Sequence, residues 1–201
     1  KRSEGVLEQI NFYDMDYEIQ KIMLEGCNGD QGEIISKTEG VCGDIYIFDH
    51  GENTTPRYVC AKMPKNIGDL EGTASRFAKE IKTQLSFGRH QYVHWIFDFG
   101  EVVGAPIAFF RYWGSDLKKL INDNSICDIK KLSVMAYACS GLMHCYRNGL
   151  TSHQDLKPAN IFLRDLRSDF VGLPDLPIYT SALIGDFGLA NASIDSNVFE
   201  G

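Results

Sequence analysis

A change of pattern near Tyr112–Ser115 constrains this chain more than any other feature of its sequence. Before it, apolar residues come in short β-rich runs: Ile34-Ile35, Ile45-Tyr46-Ile47-Phe48 and Tyr58-Val59-Cys60-Ala61. Gly40 and Gly43 break the first pair, the stretch from Gly51 to Pro56 breaks the second, and three strands are predicted. Two more are predicted near Val93–Phe99 and Ile107–Arg111, with Gly104-Ala105-Pro106 between them. One helix interrupts, over Thr73 to Phe87, where Phe77, Ile81 and Leu85 recur every four residues and Gly88 sits past the end. After the break the pattern is helical. A short helix is predicted over Asp116–Ile121 and a long one from Ile129 to Asn148, with Leu132, Ala136, Cys139 and Met143 as its apolar face. A sheet with one helix, followed by helices, is an α+β chain in two parts.

The chain has 201 residues, enough for one sizeable core or two small lobes. Residues 1–25 carry a weak helical stripe (Val6, Ile10, Tyr13, Tyr17), and Gly26 to Asp30 reads as a turn. This first segment is expected to dock outside the main domain as a short helix. Twenty basic against 27 acidic side chains leave a net charge of −7, which argues against nucleic acid or an anionic membrane as the main partner. Six cysteines form no Cys-x-x-Cys pair, and no histidine spacing completes a zinc site, so free thiols in a reducing, cytoplasmic setting are expected. No run is apolar enough for a membrane span. The first residue is Lys1 and no signal-like run follows, so the chain reads as part of something longer.

His153-Gln154-Asp155-Leu156-Lys157-Pro158-Ala159-Asn160 has the form H-x-D-L-K-P-x-N. Six fixed positions arise by chance about once in tens of millions of windows. Asp186-Phe187-Gly188 follows an apolar strand, Ala182-Leu183-Ile184, 26 residues after Asn160. Upstream lie Val59-Cys60-Ala61-Lys62 and, 18 residues beyond Lys62, Glu80. Together these resemble the protein kinase family, over most of the chain from about Gly32. The Lys and Pro of the first motif match its Ser/Thr class.

The resemblance implies a bilobal fold: an extension over 1–31, a β-rich N-lobe with one helix over 32–111, and a partial helical C-lobe over 112–201. It implies ATP and Mg²⁺ as cofactors and a protein bearing Ser or Thr as substrate. Phosphoryl transfer needs positioning and charge neutralisation more than covalent chemistry. Asp155 would orient the attacking hydroxyl, Lys157 would place a cation beside the γ-phosphate, and Asn160 and Asp186 would hold the metal. Lys62 would meet phosphate, with Glu80 positioning it. His153 would pack and hydrogen-bond structurally, and Phe187 would pack inward. The phosphate loop maps to Thr38, Gly40, Val41, Gly43 and Ile45. Ile45 and Cys60 would roof the adenine, Phe162 would floor it, Phe110 would guard its back, and Arg111-Tyr112-Trp113 would be the hinge that hydrogen-bonds it.

Four departures stand out. Thr38 replaces the first glycine of the phosphate loop. Gln154 replaces the Arg that would pair with a phosphorylated activation loop, so loop phosphorylation is not expected to be the main switch. Arg164 to Ser181 is longer than the family's hairpin and reads as a surface loop. The sequence ends at Gly201, before the family's substrate-binding helices, so weak or no protein phosphorylation is expected of this piece alone. Two alternatives stay open: a kinase-like scaffold that binds ATP without turnover, and a small-molecule kinase.

Overall fold

A computed structural model describes residues 12–27, 32–39, 43–65, 70–123, 125–168, 172–174 and 176–191. They fall into two compact units. The first takes the chain up to Phe77 and then Phe97–Phe110; the second takes Ala78–Ile96 and Arg111 onward. One of the breaks thus falls inside the helix Leu70–Ser86 and another between Phe110 and Arg111.

The first unit is built on a five-stranded sheet: β1 (Glu33–Glu39), β2 (Gly43–Asp49), β3 (Tyr58–Pro64), β4 (Ile96–Val102) and β5 (Ala105–Arg111), in the order β1-β2-β3-β5-β4. β1 pairs antiparallel with β2, and β2 with β3. The pairings set Lys37 opposite Tyr46 and Tyr46 opposite Ala61, and, one residue along, Thr38 opposite Ile45 and Ile45 opposite Lys62. Side chains alternate across a strand. One face therefore carries Thr38, Ile45, Ile47, Cys60 and Lys62, and the other carries Lys37, Tyr46, Phe48, Val59, Ala61 and Met63.

That second face is buried under the N-terminal segment. A 3₁₀ turn (Phe12–Asp14) leads into α1 (Tyr17–Cys27). Phe12 and Leu24 are fully buried in one cluster with Tyr46, Phe48, Val59, Ala61 and Met63. The segment is thus part of the core of this unit, where the sequence suggested a helix docked outside it. Its two large apolar anchors are twelve residues apart and flank a polar helix start, so no single periodicity reveals them. Helix also continues through Gly26 and Cys27, where a turn was expected.

β4 begins at Ile96, three residues later than the sequence suggests, because Val93 serves the second unit, bridging to Ile184. The β4–β5 turn is Val103-Gly104, both left-handed (φ 48° and 78°), and Ala105 and Pro106 already lie in β5.

α2 (Leu70–Ser86) runs from the first unit into the second and stops before Gly88, whose φ of 73° ends it. α3 (Leu117–Ile121) is capped by the Asp116 carboxylate, which accepts from Lys119 N at 3.0 Å. α4 (Asp128–Arg147) packs on the antiparallel pair β6 (Ile161–Asp165) and β7 (Thr180–Ile184). Its buried residues are Val134, Ala138, Gly141 and Cys145, and Leu132, Ala136, Cys139 and Met143 face outward. The sequence stripe thus lies on the exposed side. Gly141 decides the matter: a Cβ there would collide with the Tyr92 carbonyl and meet Ile184 Cγ1 at 3.3 Å, so this face lies tightest against its neighbours. The long stretch between β6 and β7 carries two 3₁₀ turns, Leu166–Ser168 and Pro177–Tyr179, and Tyr137 of α4 donates to Ile178 O at 3.2 Å. No helix of the described residues is long and apolar enough to cross a membrane.

Candidate functional site

The second unit gathers most of the residues singled out above. α4 ends at Asn148, Gly149 turns the chain with a φ of 101°, and Leu150 is pinned by its N–H to Cys145 O at 2.9 Å. His153 is buried beside Phe187, with ring centres 4.9 Å apart, and Phe187 packs in turn on Phe87 at 5.1 Å. Neither His153 nitrogen makes a hydrogen bond of normal geometry among the described residues, although the Gly185 backbone lies close enough to act on the ring. Burial pushes its pKa down, against the upward pull of the Gly185 backbone and Asp186.

Gln154 takes the left-handed conformation (φ 60°) and leads to Asp155. There the side chains meet. Lys157 Nζ donates to Asp155 Oδ2 at 2.7 Å. Asn160 Nδ2 donates to the same oxygen at 3.0 Å and to Asp155 O at 2.9 Å. The turn Pro158–Asn160 makes this possible by folding Asn160 back onto the loop, with its N–H on Lys157 O at 2.9 Å. Asn160 therefore points its amide nitrogen at Asp155, and its amide oxygen is the atom suited to a hard cation.

Asp186 is tied to this group through the backbone. β6 and β7 pair Ile161 with Ile184, and one residue beyond, Gly185 N donates to Asn160 O at 3.0 Å. Asp186 follows in the left-handed region (φ 60°). Glu80, on the part of α2 that belongs to this unit, reaches the same place: a Cβ on Gly188 would meet Glu80 Oε2 at 3.2 Å and Asp186 Oδ1 at 3.6 Å. Among the described residues no three His, Cys, Asp or Glu side chains form a metal-holding group. Asn160 and Asp186 are a donor pair of the kind that suits Mg²⁺ completed by phosphate and water oxygens.

Trp113, Arg111, His94 and Phe162 are linked in series. The Arg111 guanidinium stacks over Trp113 at 4.2 Å, and Arg164 approaches the same ring at 5.3 Å. His94 Nε2 donates to Arg111 O at 2.9 Å, and its ring lies 4.5 Å from Phe162.

The first unit carries the others. Thr38, Ile45 and Lys62 are consecutive partners across three strands, with Lys62 half-buried and Cys60 buried on the same face. Burial pushes the Cys60 thiol up to about 12. Phe110 is buried in β5. Gly43 fits where a Cβ would collide with Met63 O. Gly40 and Val41 lie outside the described residues.

Three residues that place the site went unnoticed in the sequence. His94 holds Arg111 O and, through its N–H, Ile184 O at 2.8 Å. Gly185 is obligatory, since a Cβ there would meet Phe162 Cε2 at 2.6 Å and His94 Cβ at 3.1 Å. Asn191 (φ 56°) accepts from Thr151 N at 2.7 Å and Thr151 Oγ1 at 2.8 Å, and donates to Gly149 O at 3.0 Å. It staples the stretch after Gly188 to the start of the loop. None belongs to a recurring pattern; only a left-handed turn residue such as Asn191 leaves any local trace.

A family model described as protein kinase domain matches residues 39–199. A protein of Clostridium acetobutylicum named "Probable serine/threonine-protein kinase" is 26% identical over 169 residues, which is 82% of this chain and 23% of that relative. The chain thus spans less than a quarter of that relative's length.

Proposed function

The chain belongs to the protein kinase domain family, and from that premise we propose that the protein transfers the γ-phosphate of ATP to Ser or Thr hydroxyls of proteins. The observation that carries this reading is the Asp155–Lys157–Asn160 cluster, closed by two side-chain bonds of 2.7 and 3.0 Å and fastened to Gly185. In this reading Asp155 Oδ2 takes or orients the proton of the attacking hydroxyl. Lys157 holds that carboxylate in place and presents its charge to the phosphate being moved. Mg²⁺, when bound, neutralises phosphate charge, and Asn160 Oδ1 and the Asp186 carboxylate are the groups that would hold it.

Lys62 is the proposed phosphate cation of the first unit, positioned by Glu80. Thr38, Gly40, Val41 and Gly43 are the proposed phosphate loop. Ile45, Cys60, Phe110, Arg111, Trp113 and Phe162 are the proposed adenine residues. The Ser/Thr assignment is supported by Lys157-Pro158 and by the name of the relative. Gln154 brings a neutral amide to the position beside Asp155, which supports activity that does not depend on loop phosphorylation.

The test is transfer from radiolabelled ATP to Ser- and Thr-containing peptides by the full-length protein. Asp155→Asn is expected to cut the rate about 10²–10⁴-fold with substrate binding kept. A wild-type protein that labels only small alcohols, or an Asp155→Asn variant as fast as wild type, would overturn the assignment.

A further inference from the structure

The family match starts at residue 39, yet residues 12–27 are built into the sheet that holds the proposed phosphate loop. The join is specific. Tyr13 Oη donates to Pro64 O at 2.6 Å, at the end of β3. Glu25 Oε1 accepts from Ile34 N at 3.0 Å, at the start of β1. Burial, with Asp44 and Tyr46 nearby, pushes the Tyr13 hydroxyl up to about 12, so it stays a donor at any ordinary pH.

Between these two fixings lies Lys37. It sits near the end of β1, before the loop, on the face away from Thr38, Ile45 and Lys62. Its ammonium lies 3.3 Å from Asp44 Oδ2 and 3.6 Å from Glu39 Oε1. It also lies over two phenol rings, 5.5 Å from Tyr46 of β2 and 6.0 Å from Tyr17 of α1. Lys37 thus joins three elements at once: the strand entering the loop, the strand leaving it, and the helix behind both. Residues 40–42 fall between the two strands and outside the described residues.

A cavity of about 310 Å³ opens beside Lys37, lined among others by Tyr13, Gln20, Asp44, Tyr46 and Lys65. Polar fixings thus hold the segment to this end of the hairpin beside the apolar packing of Phe12. Phe12, which also lines the cavity, and Leu24 supply the apolar anchorage.

We infer that residues 12–27, acting through Tyr13 and through Lys37 with Asp44, are a positioning clamp on the β1–β2 hairpin that sets its affinity for the nucleotide phosphates. The inference rests on the proposed function for what the hairpin binds, but not for the clamp itself. A hairpin clamped only part of the time binds its ligand with an affinity reduced by that fraction. Loosening the clamp therefore weakens ATP binding without touching the groups that transfer phosphate.

The experiment uses the full-length protein, its Tyr13→Phe, Lys37→Met and Asp44→Asn variants, and the charge-swapped pair Lys37→Asp with Asp44→Lys. Two measurements are made: Mg-ATP affinity by calorimetry, and amide hydrogen exchange over Gly43–Tyr46. Each single variant is expected to bind Mg-ATP about threefold more weakly and to exchange faster by a similar factor, the scale of one partly exposed ion pair or one hydrogen bond. Tyr13→Phe is expected to raise KM for ATP with kcat unchanged, and the charge swap to restore most of the lost affinity. Variants that melt at lower temperature yet keep wild-type exchange and affinity would overturn the clamp. If the wild-type protein bound no Mg-ATP, the proposed function would fall, and the exchange data would still decide the clamp: faster exchange upholds it and unchanged exchange sinks it.

Discussion

The two units hold the side chains of the proposed site by different means. In the second, Asp155, Lys157 and Asn160 hold one another, and Gly185 and Asn191 fasten the neighbouring chain to them by hydrogen bonds. In the first, Thr38, Ile45 and Lys62 owe their alignment to strand register, and the rigidity comes from the opposite face, where Phe12 and Leu24 close the core. A site built from mutual hydrogen bonds makes each member structural as well as chemical. In a site laid on a sheet the backbone ladder already sets where each side chain starts, so less of the positioning falls on bonds among the side chains.

The sharpest way to break this contrast is a pair of substitutions. Lys62→Met keeps the apolar stem and removes the charge. It is expected to lower phosphate transfer about 10²-fold or more, and to cost less stability than the next variant does. Asn160→Ala is expected to do both kinds of damage: a comparable loss of transfer, and about 1–3 kcal/mol of stability, since it strips two bonds from Asp155 and leaves a part-buried carboxylate underpaired. Denaturant melts beside transfer rates check this. Equal loss of stability in both variants would erase the distinction between the units.

A smaller effect follows from Gly185. Gly185→Ala places a methyl group against Phe162 and His94 and is expected to cost about 1–3 kcal/mol, as overpacking does. It should also displace the Gly185–Asn160 bond, so Mg-dependent transfer falls with stability. A variant as stable as wild type would show that Phe162 has room to move.

The smallest effect is one of pH, and it belongs to the second unit. Burial depresses His153, and burial together with His144 depresses His90, both below the ordinary value of 6.5. Between the depressed and ordinary values the unfolded chain binds a proton that the folded chain does not. Stability therefore rises with pH through that window and is lost as pH falls from about 6.5. Urea midpoints measured from pH 7.5 down to 5.5 should drop, and His153→Asn should flatten the curve.

Much of this was legible in the sequence, for reasons tied to particular residues. The strands of the first unit showed because β-branched and aromatic residues cluster between glycines, as in Ile45 to Phe48. The chemical cluster showed because Asp155, Lys157, Pro158 and Asn160 fall in one short segment whose spacing cannot be varied. What stayed hidden depended on tertiary choice. α4 is apolar on two sides, and only the approach of Tyr92 to Gly141 decides which side is buried. Val93 reads as strand, yet it leaves the sheet to meet Ile184. Phe12 and Leu24 are ordinary letters in a polar stretch until the outer face of β2 and β3 gives them something to cover. His94, Gly185 and Asn191 act through single contacts across long stretches of chain, and one-residue signals have no period.

The described thiols differ in a way that matters to anyone handling the protein. Cys127 and Cys139 are exposed on or beside α4, and Cys60 and Cys145 are buried with their thiols pushed up to about 12 and about 11. Maleimide dyes and other thiol-directed electrophiles act on the ionised sulfur. They should therefore mark the outer side of α4 and pass over Cys60, which makes that helix a natural mounting point for fluorophores or spin labels and makes Cys60 a poor anchor for covalent inhibitors.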